Sequence, residues 1–318
     1  MRIAIVGAGA MGSVYAGLLS SSGNEVWAID PWAEHVAAIR DHGLRVEGAS
    51  GDRVVPVAAT CDPADVGTVD LVVIATKAMQ VHAAAEDARA LVGPGTVVLA
   101  IQNGLGSADV VAEVLGDDRV VIGVAGGFGA SMVGPGHVLH HGLELVRLGE
   151  RAGPTTPRVE RIASVWRAAG FTVRTYDDVD RLVWEKLVCN VCFSGTATVL
   201  GATIGEVMDE PHAWSVASSC AVEAHAVAVA SGVALGFDDP IAYVSAFGER
   251  IRGARPSMLL DRLAGRPCEI DVINGAIPPR AALVGLQAPT NATITALVKA
   301  LEAGAGMSDT GYRAADTG

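Results

Sequence analysis

Arg2-Ile3-Ala4-Ile5-Val6, a short apolar strand, runs directly into Gly7-Ala8-Gly9-Ala10-Met11-Gly12-Ser13 and then into an alanine- and leucine-rich stretch that reads as a helix to about Ser22. A strand that turns through three spaced glycines into a helix is the geometry of a dinucleotide-binding turn. Gly7 permits the tight turn, Gly9 keeps side-chain atoms away from a pyrophosphate, and Gly12 lets helix and strand pack closely. The chemistry belongs to the backbone, so Ala8, Ala10 and Met11 count as cofactor contacts with the glycines. Unpaired N–H groups and the positive end of the helix dipole both favour a phosphate there.

Glycine is common here, 38 of 318 residues, so the string alone is weak and its context decides. A second strand, Glu25-Val26-Trp27-Ala28-Ile29, ends in Asp30, about 20 residues after the glycines, where a carboxylate accepts hydrogen bonds from an adenosine ribose. A carboxylate also repels a 2′-phosphate, which favours NAD and leaves NADP open. The competing role for Asp30 is a cap for a helix starting near Trp32.

A chain of 318 residues, half of them apolar, is long enough for two domains with separate cores. No run of 18 uncharged apolar residues occurs, and the apolar stretch 221–233 is broken by Glu223 and His225, so a membrane span is not expected. The first strand begins at the N-terminus with no signal segment before it, which points to the cytoplasm. Five scattered cysteines (Cys61, Cys189, Cys192, Cys220, Cys268) show no disulfide or zinc spacing and are expected to be reduced. Cys189-x-x-Cys192 falls inside an apolar helical run rather than at a helix start that would stabilise a thiolate, so core packing is its expected role. A net charge of −12 argues against nucleic acid and anionic membranes as partners, while a small anionic substrate stays compatible.

Through the first half, strand-like runs at 71–75, 96–101 and 120–124 alternate with helix-like stretches at 79–91 and 108–115. This is the rhythm of a parallel doubly wound sheet, an α/β Rossmann-type domain. A glycine-rich stretch, 123–136, leads to expected strands at 138–140 and 144–148, a helix at 157–169 and a last strand at 171–175. After that the period changes to that of long helices, at 179–199, 212–231, 240–251, 258–263, 269–284 and 291–302. The expected division is a dinucleotide-binding domain, 1–177, and an all-helical substrate domain, 178–318. Residues from 304 onward have little to bury and read as a frayed tail. The apolar face at 217–230 serves either a homodimer or the domain's own core.

Ligands of a doubly wound sheet lie outside the carboxyl ends of its strands. Lys77 and Gln80 follow one such strand in Thr76-Lys77-Ala78-Met79-Gln80, and Asn103 follows the next in Gln102-Asn103-Gly104. Lys77 suits cofactor phosphate or ribose, and the Asn103 amide can donate and accept beside a nicotinamide or a substrate carbonyl. Solvent for Lys77 and a simple turn for Asn103 are the alternatives. In the first long helix of the second half, Lys186, Asn190 and Ser194 recur every four residues among apolar neighbours and share one face. A lysine lining a cleft between domains can hold a substrate carbonyl and protonate the alkoxide formed when hydride arrives. A solvated stripe is the alternative. Ser257 reads as an N-cap, and Glu269 and Asp271 as acids at a helix start. His137, His140 and His141 lack an acidic partner cluster, so no metal site is expected.

Gly7-Ala8-Gly9-Ala10-Met11-Gly12, Thr76-Lys77-Ala78, Gln102-Asn103-Gly104, Glu185-Lys186-Leu187, Ser257-Met258-Leu259 and Glu269-Ile270-Asp271-Val272-Ile273-Asn274-Gly275 together resemble the ketopantoate reductase (2-dehydropantoate 2-reductase) family, in family order and nearly end to end. The resemblance implies a Rossmann domain, a helical domain like that of 6-phosphogluconate dehydrogenase, and hydride transfer from a nicotinamide to a small 2-keto acid. It implies Lys186 as general acid, Asn103 beside nicotinamide and substrate, and Lys77 on the cofactor side. It further implies Asn190 and Ser257 as substrate contacts and Glu269 as the residue that orients the lysine or the substrate hydroxyl, while Asp271 stays structural.

Two departures stand out. Ser194 occupies a position where many members carry asparagine, which shortens or removes a contact to the hydroxyls of pantoate. Ile29-Asp30-Pro31-Trp32 replaces the arginine of NADPH-dependent members and is similar to the mandelate-type, NAD-dependent D-2-hydroxyacid dehydrogenases. A rival of the same mechanism therefore takes a bulkier 2-keto acid, and a rival of another class is a dinucleotide sensor without turnover.

Overall fold

The computed structural model describes residues 1–127, 129–142 and 145–304. They form two compact units, one over Met1–Val183 and the other from Trp184 onward. The first unit contains β1 (Arg2–Val6), α1 (Ala10–Ser21), β2 (Glu25–Ile29), α2 (Ala33–His42), β3 (Leu44–Gly48), β4 (Arg53–Val55), β5 (Ala58–Thr60) and β6 (Leu71–Ile74). It continues through α3 (Val81–Asp87), β7 (Val97–Ala100), α4 (Ser107–Leu115), β8 (Val120–Gly126), β9 (Gly129–Gly134), β10 (His137–Gly142), β11 (Leu145–Glu150), α5 (Pro157–Ala168) and β12 (Thr172–Thr175).

The main sheet runs β12-β11-β8-β7-β6-β1-β2-β5. It is parallel apart from the β8–β11 pair. β6, β7 and β1 from Ile3 onward are apolar and buried at every position because both faces are covered. Ile3, Ile5, Val26, Ala28, Leu71, Val73 and Leu99 enter one core with α1 and α5, and Ala4, Val6, Ile29, Val72, Ile74 and Val98 enter the other with α3 and α4. The chain leaves β1 toward β2 on one side and returns to β6 on the other, so strand order reverses beside β1. The carboxyl ends there are level. Val6 pairs with both Ile29 and Ile74, and Ile74 with Ala100.

A second sheet, β4-β3-β10-β9, lies outside this framework. The expected strand at 138–140 belongs to it rather than to the main sheet, pairing in parallel with β3. That layer covers α1, whose Val14, Tyr15, Leu18 and Leu19 share a core with Val46, Val55 and Val138 as well as with Ile3 and Ile5. Sandwiched between two layers, α1 is buried continuously from Gly12 to Leu19, which is why its sequence shows no polar face. The expected strand at 144–148 has its first residue outside the described set and is observed from Leu145.

α6 (Val179–Leu200) begins at the end of the first unit and carries the chain into the second, which continues with α7 (Ile204–Asp209), α8 (Pro211–Ala230), α9 (Pro240–Arg250), α10 (Ser257–Leu263), α11 (Ile277–Leu283) and α12 (Pro289–Gly304). The single helix expected at 269–284 is corrected to two short 3-10 turns, Ile270–Val272 and Asn274–Ala276, followed by α11. Pro278 and Pro279 have no N–H to continue an earlier helix and fit its first turn instead. Among the described residues α8 is long and apolar enough to cross a membrane. Its Ala213, Ala217, Cys220, Ala221, Ala224 and Val227 are buried and it packs on α7, α9, α11 and α12, so this face is interior to the second unit. The expected frayed tail lies outside the described residues beyond Gly304, the last residue of α12.

Candidate functional site

The turn after β1 is built as its glycines demand. Gly7 has φ +91°, a conformation that a Cβ disfavours, and a Cβ there would meet Thr76 Cγ2 at 2.6 Å. A Cβ on Gly12 would overlap the Gly7 carbonyl oxygen, whereas one on Gly9 would meet nothing within 4 Å. Gly7 and Gly12 are therefore held by packing, and Gly9 faces open space. The Gly7 and Ala8 N–H groups donate to the Ile29 carbonyl at 2.9 and 3.3 Å, tying the turn to the end of β2.

Asp30 follows directly. Its Oδ1 accepts from the Trp32 N–H at 3.0 Å, a local Asx turn. Asp30 does not cap α2, the alternative role: that helix begins at Ala33 with Trp32 as N-cap and no side-chain cap bond. Lys77, half-buried, precedes a 3-10 turn Ala78–Gln80, and Gln80 is exposed. Asn103 is half-buried just past β7. The residues expected to meet a dinucleotide in this unit thus all follow one row of strand ends.

Two neighbours of these residues carry weight the sequence motifs did not assign. Gln102 Nε2 donates to the Ile74 carbonyl at 2.5 Å and to that of Thr76 at 3.4 Å, stapling the Lys77 loop to the Asn103 loop. Gln102 Oε1 and Thr76 Oγ1 are buried without a hydrogen-bond partner. Buried polar atoms are rarely left unpaired unless a ligand or water meets them. Two such atoms at these strand ends, together with the open face of Gly9, fit a dinucleotide. The only sequence signal was adjacency: each sits beside a residue already chosen.

In the second unit α6 presents Lys186, Asn190 and Ser194 on one face, about 6 Å apart per step. Lys186 and Asn190 are half-buried and Ser194 is buried, so this is no solvated surface stripe. Glu185 Oε1 accepts from the Gly236 N–H at 2.9 Å, fixing the helix beside the face. Ser257 is exposed, and its expected N-cap role is corrected: Pro256 is the N-cap of α10 and Ser257 its first residue, with no side-chain cap bond. Glu269 is buried, 6% exposed, and sits as N-cap of the short turn Ile270–Val272 with no side-chain cap bond. Asp271 is ion-paired with Lys299 at 2.5 Å, a structural partner.

The α6 face is held from behind by amides. Asn274 Nδ2 donates to the Val191 carbonyl at 2.9 Å and to Asn291 Oδ1 at 3.0 Å. Asn291 Nδ2 in turn donates to Glu223 Oε2 at 2.8 Å and to the Cys220 carbonyl at 3.1 Å. Gly195 makes room, since a Cβ there would overlap Ile294 and come within 2.9 Å of Asn274 Oδ1. Asn274→Ala leaves Asn291 Oδ1 buried without its donor, and we expect thermal unfolding to show a loss of about 1–3 kcal/mol.

The cysteines are free, and all but Cys61 are buried. Burial pushes the Cys189 thiol up to about 12 and Cys192 well above the ordinary thiol range, so this pair packs rather than reacts. In the second sheet His140 Nδ1 lies 3.0 Å from Ser50 Oγ and His141 Nε2 lies 2.9 Å from Ser131 Oγ.

Comparison with known proteins matches residues 3–153 to the family model "Ketopantoate reductase PanE/ApbA" and residues 178–302 to its C-terminal counterpart. The chain is similar to a 2-dehydropantoate 2-reductase of Pyrococcus abyssi, 32% identical over 306 residues, covering 95% of this chain and 98% of the relative. Another from Archaeoglobus fulgidus is 30% identical with the same coverage. Among solved structures, D-mandelate dehydrogenase with NADH and anilino(oxo)acetate superposes with TM-score 0.89 at 30% identity, covering 96% of this chain and 99% of that one. The 2-dehydropantoate 2-reductase of Geobacter metallireducens superposes with TM-score 0.88 at 34% identity, covering 94% and 99%. With both family models covering their respective halves, the chain belongs to the ketopantoate reductase family.

Proposed function

We propose that this oxidoreductase reduces a 2-keto acid to a D-2-hydroxy acid with NADH, the first unit holding the dinucleotide and the second supplying the proton. The observation that carries the reading is half-buried Lys186 on one helix face with Asn190 and Ser194. When bound, the reduced nicotinamide supplies the hydride. Gly9, Ala10, Met11 and Gly12 hold its pyrophosphate through backbone N–H groups, in a turn that Gly7 and Ala8 shape with their own N–H groups on the Ile29 carbonyl, while Lys77 and Gln80 hold its phosphate or ribose and Asn103 the nicotinamide side. Lys186 stabilises the developing alkoxide and donates Nζ–H to the oxygen. Asn190, Ser194 and Ser257 hold the substrate, Ser257 at its carboxylate, and buried Glu269 orients the lysine or the product hydroxyl.

Asp30 supports NAD. Its Oδ1 is engaged by Trp32 N–H, which fixes the carboxylate at the end of β2 where it would accept ribose hydroxyls and repel a 2′-phosphate. Asp30→Ala is expected to raise the KM for NADH roughly 10- to 100-fold, the worth of a charged hydrogen bond, and to narrow the gap between NADH and NADPH. Steady-state kinetics with both cofactors reads this directly.

Two observations favour the bulkier substrate. Ser194 is small where an asparagine would fill space, and a mandelate dehydrogenase structure superposes over nearly the whole chain. A comparison of kcat/KM for ketopantoate and benzoylformate decides the side chain: a preference for benzoylformate identifies the mandelate-type reading, and a preference for ketopantoate identifies the pantoate reading. No turnover with any 2-keto acid, despite NADH binding, would leave the sensor reading. The free thiols fit a reducing compartment, and we place the enzyme in the cytoplasm.

A further inference from the structure

His35 belongs to no motif, yet it is fully buried, at 0% exposure, on α2. The Gly136 N–H, in the turn between β9 and β10, donates to its Nδ1 at 2.9 Å. That assigns the single proton of the neutral ring to Nε2, which lies 3.2 Å from Ser13 Oγ. The Ser13 hydroxyl donates onward to the Ala8 carbonyl at 2.7 Å. Donors thus run in one direction: Gly136 to His35, His35 to Ser13, Ser13 to Ala8. Burial pushes the imidazole below its ordinary value, against the opposing pull of Asp30, and so keeps the ring in the neutral form this order requires. Trp32 stacks on the ring at 5.1 Å.

The consequence follows from the planarity of the peptide bond. The Ala8 carbonyl and the Gly9 N–H belong to one trans peptide unit and point in opposite directions. Pinning the carbonyl toward Ser13 therefore aims the Gly9 N–H away from it, and Gly9 is exposed with open space where a Cβ would be. We propose that Ser13 and His35 are positioning residues for the dinucleotide, setting the Ala8–Gly9 peptide and the first N–H groups of α1, and coupling them to the Gly136 turn of the second sheet. This rests on the cofactor reading above.

Three variants separate positioning from bulk stability. Ser13→Ala removes the donor to Ala8. His35→Asn keeps an acceptor for Gly136 but loses the donor to Ser13, and His35→Gln keeps an amide N–H at the Nε2 position. NADH affinity, from fluorescence titration, is expected to weaken roughly fivefold to tenfold in Ser13→Ala and His35→Asn and to stay within about twofold of the parent in His35→Gln. The keto-acid KM and kcat at saturating NADH are expected to hold. Val159→Ala in α5, a buried truncation away from the turn, serves as control and is expected to lower Tm with NADH affinity unchanged. Parent-like NADH affinity in both Ser13→Ala and His35→Asn, or an equal loss in Val159→Ala, overturns the proposal while leaving the cofactor reading intact. Failure of the parent itself to bind NADH removes the cofactor reading and this proposal with it.

Discussion

Replacing Lys186 with alanine is expected to lower turnover by roughly 10²–10⁴-fold while NADH binds as tightly as it does to the parent, because positioned proton transfer contributes on that scale. The affinity holds because the dinucleotide is assigned to backbone and side chains of the first unit, whereas Lys186 lies on α6 in the second. The ammonium acts on charge that develops only as hydride arrives, so kcat and kcat/KM should fall together. Lys186→Arg tests the proton rather than the charge: a guanidinium stays protonated and is a poor acid, so turnover should remain far below the parent. A Lys186→Ala enzyme with parent-like kcat would remove the residue from the chemistry.

The second large effect lies in the glycine turn, where two neighbouring positions should behave in opposite ways. Gly12→Ala forces a Cβ into the Gly7 carbonyl oxygen, and backbone cannot step aside as a flexible side chain can. Overpacking of this kind costs about 3 kcal/mol, equivalent to a fall in Tm of roughly 6–12 °C for a unit of this size, with NADH binding lost as the turn distorts. Gly9→Ala has open space at its Cβ and a φ of −63° that alanine adopts freely. Its Tm should be unchanged or slightly raised by the stiffer unfolded chain. Its methyl occupies the ground assigned to the pyrophosphate, so NADH affinity should drop by at least about tenfold, some 1.4 kcal/mol. Calorimetry and NADH titration on the two variants distinguish a turn shaped for packing alone from one shaped for a ligand.

What the sequence made legible was local or positional. The β1 turn is contiguous, and packing demands glycine at Gly7 and Gly12, while Gly9 faces open space. Asp30, Lys77 and Asn103 stand out in the sequence because a parallel sheet places strand ends in a row, and Val6, Ile29, Ile74 and Ala100 are indeed level. The face of Lys186, Asn190 and Ser194 followed from helical spacing alone.

The features that escaped depend on distant pairing. β9 and β10 are glycine- and histidine-containing strands with weak alternation, and β10 finds β3 only after most of the main sheet has intervened. His35 meets Gly136 across 101 positions, so its role has no signature near either residue. The expected helix at 269–284 failed because hydrophobic period cannot weigh a buried amide. Asn274 turns inward to the Val191 carbonyl and Asn291, and the chain bends through short turns to place it there. Ser257 read as a cap because serine favours such positions, yet Pro256 stands there instead.

The central claim is that a hydride acceptor is reduced here and protonated by Lys186. Its most direct measurement is a single turnover: enzyme loaded with NADH, mixed with benzoylformate or ketopantoate, followed by loss of the reduced nicotinamide's absorbance and by chiral analysis of the product. The account predicts rapid loss with one of these acids, formation of the D-2-hydroxy acid in equal amount, and near-abolition of both in Lys186→Ala. Tight NADH binding with no oxidation by either acid, or the same rate with alanine at position 186, would contradict it.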